Sequence, residues 1–310
     1  MINIQSGRPA AEETPVPLRR FRALVVLGVV LAMAGLALPL AFGIHLHLDG
    51  LVQAAVGSML LVGCSALALN GSRPVALESR HAVRTVLATT AANAVTPAGI
   101  GGTLLVVRAH RRSGLSPEQS AAAAGLRTAA GALVATVTTA VVASTVGMEQ
   151  LPSSRTGLWI VLALLTGAVA VALAMPVTRQ RVVASSARVA EAVTDVVRRP
   201  RCLASLLVGC VGVTVAQLLT LQGAVHAVGG SLPWTELLVA LLGSAAARSA
   251  VPSPGGVGPI EAALVGGLTA MGMGLGTAGG AVAIYRTAGH WLPVLAGVLS
   301  ARELRRRHLL

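Results

Sequence analysis

Long runs without a charged residue, separated by short arginine clusters, leave this chain few choices of fold. A helix needs about 20 apolar residues to cross the hydrocarbon of a bilayer. Six runs reach that length, at 23–44, 51–70, 120–147, 157–177, 202–226 and 277–299. Hydrophobic residues make up 54% of the 310, and the mean hydropathy is +0.77, more apolar surface than one soluble core of this size can enclose. The expectation is an all-α, polytopic integral membrane protein with six full crossings.

The formal net charge of +13 does not point to nucleic acid. Its excess sits at Arg19, Arg20, Arg22, Arg108, Arg111, Arg112, Arg179, Arg181, Arg198, Arg199, Arg201 and Arg305 to Arg307, flanking the apolar runs as the positive-inside rule describes. Aromatic residues, needed for base stacking, are only 2%. Cys64, Cys202 and Cys210 fall in apolar runs without metal or redox spacing and read as small hydrophobes. His45, His47 and Asp49 share a short loop, but no further ligand is evident, so neither a metal nor another cofactor is expected. The run after Arg22 is longer than a signal-peptide core and reads as a retained span.

Two further apolar stretches, 85–107 and 235–275, are interrupted at their centres. The first carries Pro97, Gly99, Gly101 and Gly102; the second carries Pro252, Pro254, Gly255, Gly256, Gly258 and Pro259. Proline lacks an amide hydrogen and each glycine costs about 1 kcal/mol of helix propensity, so both are expected to be broken re-entrant segments. Basic clusters on both sides of the first break predict that it enters and leaves from the cytoplasm. Parity then requires the second to enter from outside. An internal repeat agrees. Pro97-x-Gly99-Ile-Gly101 matches Pro254-x-Gly256-Val-Gly258, offset by 157 residues, and Ala124-x-x-Arg127-Thr-Ala matches Ala283-x-x-Arg286-Thr-Ala, offset by 159. Two inverted halves are expected, an arrangement common among transporters. They would span 19–177 and 202–300, joined by a cytoplasmic amphipathic helix at 178–201, with a disordered tail at 1–18 and a basic tail at 301–310. Both termini would be cytoplasmic, in the plasma membrane.

The residues that stand out chemically cluster at those breaks. An arginine within the bilayer costs about 2.5–3.5 kcal/mol by insertion scales, so Arg127 and Arg286 each need a partner, a cavity or water. Two readings are open: an interhelical tie, with Arg286 satisfied by Glu261 or by carbonyls of a broken helix, or guanidinium forks that hold an anionic head group. A helix restarting after the glycines would point unpaired amide hydrogens and its positive dipole end into a cavity. Glu261, in the first turn after Pro259, would offset that dipole, pair with Arg286 or carry a proton. Asn93 is positioned to satisfy backbone groups freed at the first break or to contact a head group. His290, four residues beyond Arg286, reads as a satisfied interior histidine. No nucleophile and base pair with suggestive spacing appears, so no catalysis is expected.

The segments Pro252-Ser-Pro254-Gly255-Gly256-Val-Gly258-Pro-Ile-Glu261 and Tyr285-Arg286, with Trp291, Pro293 and Gly297, resemble the C-terminal signature of the lysylphosphatidylglycerol synthase transmembrane family, also described as flippase-like. Asn93, Thr96-Pro97, Gly99, Gly101-Gly102, Arg108, Gly114-Leu-Ser116 and Arg127 are similar to its first half. The resemblance implies translocation of an anionic or zwitterionic lipid, aminoacylated or linked to polyprenyl phosphate, without aminoacyl-transferase activity, since no soluble domain follows. It implies phosphate-bearing lipids as partners and Arg127, Arg286, Glu261, Asn93, Pro97, Gly99, Gly101, Pro254, Gly255, Gly256 and Gly258 as the substrate path. Many relatives carry acidic residues where this chain has Gly102 or Thr103, and Leu126 and Ala130. Lysine-bearing head groups are therefore in question. The alternatives are a membrane subunit that docks a partner glycosyltransferase or synthase through 178–201, and a small-solute transporter.

Overall fold

The computed structural model describes residues 43–74, 76–96, 100–145, 193–251 and 253–306, with single positions between 29 and 41. The tail at 1–18, the run 157–177, Pro97, Gly99, Pro252 and most of the segment 178–201 lie outside the described residues. Those described form helices and connections, with no strand among them. In chain order they are α1 (Leu48–Gly71), α2 (Ser79–Val95), α3 (Ile100–Arg112), α4 (Pro117–Thr145), α5 (Pro200–Ala227), α6 (Trp234–Ala250), a 3-10 turn (Pro254–Gly256), α7 (Pro259–Ala270), α8 (Leu275–Arg286), a π turn (Thr287–Trp291) and α9 (Leu292–Arg306).

Three of these helices, α1, α5 and α4 over Pro117–Val142, are long and apolar enough to cross a bilayer. Large apolar side chains point outward, with Met59 75% and Val208 61% exposed, whereas the α1–α5 contact is built around glycines, most of them set against alanine or threonine. That inside-out distribution suits a lipid solvent, in which helices associate by close packing of small residues and not by excluding apolar groups.

The α1–α5 pair is the axis of the molecule. Gly50 abuts Ala227, Gly57 abuts Thr220 and Gly71 abuts Leu206, while from α5 Gly209 abuts Ala68 and Gly223 abuts Ala54. The helices are therefore antiparallel over their whole length. A Cβ at Gly57 would lie 2.7 Å from the Thr220 nitrogen, and at the other four positions it would come closer still to backbone.

Each broken stretch is a helical hairpin. In α2–α3, Val106 packs with Ala82 and Val86 near the base, while Asn93 meets Gly102 near the tip. The helix extends past the apolar stretch at both ends, from Ser79 to Arg112, and carries the flanking basic residues with it. In α6–α7, Gly267 lies beside Ala240, and the chain reverses through Gly255, Gly256 and Gly258, whose φ angles of 64°, 68° and 98° only glycine adopts without strain. The first hairpin starts just after Gly71 and the second just after Ala227, so they are rooted at opposite ends of the antiparallel pair. Their tips meet: a Cβ at Gly255 would lie 3.5 Å from the Ala94 Cα and carbonyl oxygen.

The run 277–299 is a helix interrupted by the π turn. Ser58 of α1 donates to the Ala288 carbonyl at 2.6 Å, satisfying an acceptor inside that irregular turn. Beyond it, Gly297 sits directly on the Leu87 carbonyl, and Val294 and Val298 pack on Ala91, clamping α9 to the first hairpin. At the hairpin base Arg73 is buried, and its Nη2 donates to Ser113 Oγ at 2.7 Å.

Gly223→Ala should force the two axis helices apart and destabilise the protein by about 1–3 kcal/mol. Gly63→Ala, on α1 where a Cβ meets nothing within 4 Å, should be neutral or stabilising by up to about 1 kcal/mol. Thermal unfolding of both variants in the same detergent checks the difference in sign.

Candidate functional site

The second hairpin turn leaves backbone groups without helical partners, and one ion pair takes up two of them. Glu261 stands at the third position of α7; its Oε2 accepts the Gly258 amide at 2.7 Å. Its Oε1 accepts Arg286 Nε at 2.6 Å, and Arg286 Nη2 donates to the Gly255 carbonyl at 2.9 Å. Arg286 is thereby joined to both sides of the glycine turn. Its side chain is 8% exposed against 31% for Glu261, so the pair lies at the edge of the buried region.

The π turn completes the surroundings of this arginine. The wider i→i+5 turn brings Trp291 to Arg286, with the guanidinium carbon 5.9 Å from the ring centroid, a cation–π contact. Trp291 is itself edge-on to His290 at 4.9 Å between centroids. The expectation of a satisfied interior histidine does not hold, because His290 Nε2 is buried with no hydrogen-bond partner among the described residues. It stands 3.3 Å from where a Gly255 Cβ would be, at the meeting point of the two tips.

Beside this group is a cavity of about 130 Å³ between α1, α5, α6, α7 and the π turn. Its polar lining comes from Gln217, Ser244, Arg248, Tyr285, Arg286 and His290. Arg248 lines it while remaining solvent-exposed, so the cavity opens outward past that side chain.

The first break is held by neutral groups. Asn93 Oδ1 accepts the Gly102 amide at 2.8 Å, and Thr96 Oγ1 accepts the Gly101 amide at 3.0 Å while donating to the Ala92 carbonyl. The expectation of unpaired amide hydrogens at the helix restarts is thus corrected at Gly101, Gly102 and Gly258, whose amides the chain's own side chains occupy. The physical reason is the cost of several kcal/mol for an unsatisfied amide away from water.

Of the residues expected to act together, the structure joins Arg286, Glu261, Gly255, Gly256 and Gly258, with Asn93 and Gly101 one tip away. Pro254 opens the 3-10 turn. Arg127 does not line the cavity. Its neighbours Leu126 and Ala130 pack on Leu206 and Cys210 of α5. Arg248 and Gln217 escaped the sequence reading. The signal was present for Arg248, a basic residue inside the stretch 235–275, six positions before Pro254.

Paired broken hairpins on an apolar helical frame define a multi-pass membrane protein. The chain belongs to the family described as lysylphosphatidylglycerol synthase TM region, whose model matches residues 18–297. No curated protein matches the sequence.

Because Glu261 joins the turn to Arg286, Glu261→Gln and Arg286→Gln should each lower stability by about 1.5–3 kcal/mol. The double variant should lose less than their sum, with a coupling of at least about 0.5 kcal/mol in a chemical-unfolding cycle.

Proposed function

We propose that this protein moves a lipid with a phosphate head group between leaflets, along a path that passes where the two hairpin tips meet. In this reading the chain has six full crossings and two re-entrant hairpins in an inverted repeat, with both termini in the cytoplasm and the protein in the plasma membrane. Residues 19–177 and 202–300 form the halves, and it acts as a transporter without catalytic chemistry. Support comes from the matching order of helix, hairpin and helix on either side of the linker, from the rooting of the hairpins at opposite ends of the α1–α5 pair, and from the family.

The observation that carries the proposal is that the first tip touches the second at Gly255, whose carbonyl takes Arg286 beside the cavity. Hairpins that stop halfway leave a thin barrier in place of a full helix, and the guanidinium supplies a cation where the head group must shed water. The Arg286–Glu261 pair holds the guanidinium in place beside the cavity, and a phosphate meets the part of the guanidinium that Glu261 and Gly255 do not engage. Both readings of Arg286, structural and functional, then apply to one side chain at once.

Purified protein in liposomes should accelerate the transbilayer movement of fluorescent phosphatidylglycerol. Arg286→Ala should reduce that rate at least about tenfold, the loss expected for a charge-assisted contact of about 1.5 kcal/mol. Glu236→Ala, in the first turn of α6, should leave it unchanged. Full activity in a folded Arg286→Ala protein would contradict the proposal.

A further inference from the structure

We infer that Arg248, with Gln217, Tyr285 and the paired Arg286, forms a phosphate subsite selective for head groups that carry negative charge without an added amine. This rests on the translocation reading for its lipid but names a residue and a selectivity which that reading does not.

The cavity brings together two guanidinium groups, a phenol, a side-chain amide and an imidazole nitrogen without a partner among the described residues. Arg286 spends its Nε on Glu261 and its Nη2 on Gly255. Arg248 makes no hydrogen bond or ion pair among the described residues, and stands at the end of α6 where the chain turns into the hairpin tip. A guanidinium with its fork free, at the mouth of a cavity whose floor is a second guanidinium, favours an anion with at least two acceptor oxygens, and a phosphate meets that demand. Tyr285 and Gln217 add neutral donors for the remaining oxygens.

The acid inventory of the whole chain makes the selectivity argument. Of the eleven acidic residues, only Glu236 and Glu261 fall within the apolar stretches. Glu236 is in the first turn of α6, at the far end from the tip, and both oxygens of Glu261 are engaged, by Arg286 and by the Gly258 amide. An aminoacylated head group brings one or two ammonium groups that must then shed water beside two arginines with no carboxylate to receive them. Like charges so placed repel, and the desolvation is uncompensated. The positions at which many family relatives carry further acids hold Gly102 or Thr103, and Leu126 and Ala130, in this chain.

Calorimetric titration of the full chain in detergent, with dihexanoyl phosphatidylglycerol, its lysyl ester and inorganic phosphate as separate probes, tests this. Phosphatidylglycerol should bind at least about tenfold more tightly than the lysyl ester. Arg248→Gln should weaken it by about tenfold while Arg248→Lys retains part of the affinity, as expected for one charge-assisted contact. The exposed position of Arg248 should leave the ligand-free melting temperature unchanged in both variants. Equal or tighter binding of the lysyl ester, or full affinity in Arg248→Gln, would overturn the subsite. Inorganic phosphate binding as tightly as phosphatidylglycerol would overturn the lipid assignment. Lipid movement in liposomes together with preferred binding of the lysyl ester sinks this inference alone; preferred phosphatidylglycerol binding without lipid movement sinks translocation and leaves the subsite standing.

Discussion

Backbone amides and carbonyls freed in the middle of an apolar stretch have no water to turn to, and both hairpin tips free them. The two solutions differ. At the first break the acceptors are neutral and local, Asn93 and Thr96, each reaching an amide a few residues ahead. At the second, Glu261 accepts one amide and also pairs with Arg286, which reaches back to the Gly255 carbonyl. The first turn is thereby closed within itself. The second depends on a helix outside the hairpin, so any ligand that draws Arg286 away also loosens the tip.

That dependence links packing to function. Glycines on α1 and α5 bring the axis helices close enough to hold the roots of both hairpins at opposite ends. Ser58 reaches from the axis to the Ala288 carbonyl in the π turn, and the same turn sets Trp291 against the guanidinium and leaves His290 facing the second tip. A regular α-helix would carry Trp291 away from Arg286 and would leave no carbonyl for Ser58. The interruption is therefore part of how the arginine is held, beside a cavity whose remaining walls belong to the axis and to α6.

Much of this was legible in the sequence, for reasons that can be named. Long apolar runs delimit α1, α4 and α5, because bilayer thickness fixes the length of a span. Consecutive glycines flanked by proline mark the second turn, where three positive φ angles exclude other residues. The pairing of Glu261 with Arg286 was one of two open readings. The π turn was not legible, since Thr-Ala-Gly-His-Trp carries no pattern that distinguishes i→i+5 from i→i+4 hydrogen bonding, and its position is set by contacts with α1. Arg248 was overlooked because a single charge is diluted in a stretch judged by average hydropathy. The inequality of the two arginines follows from packing that a repeat motif does not encode: Arg127 shares the Ala-x-x-Arg-Thr-Ala motif with Arg286 but does not line the cavity, and no acidic residue directly follows the first glycines.

The central claim is that the two hairpins enter the membrane from opposite faces and meet at their tips. Side-specific labelling tests it most directly. Single cysteines at Arg111, at the base of the first hairpin, and at Ala270, at the base of the second, are introduced into a chain whose three native cysteines are replaced by serine. In oriented membrane vesicles an impermeant maleimide added from one side should label one position and spare the other, and reversing the orientation should exchange them. Labelling of both positions from the same side would contradict the account.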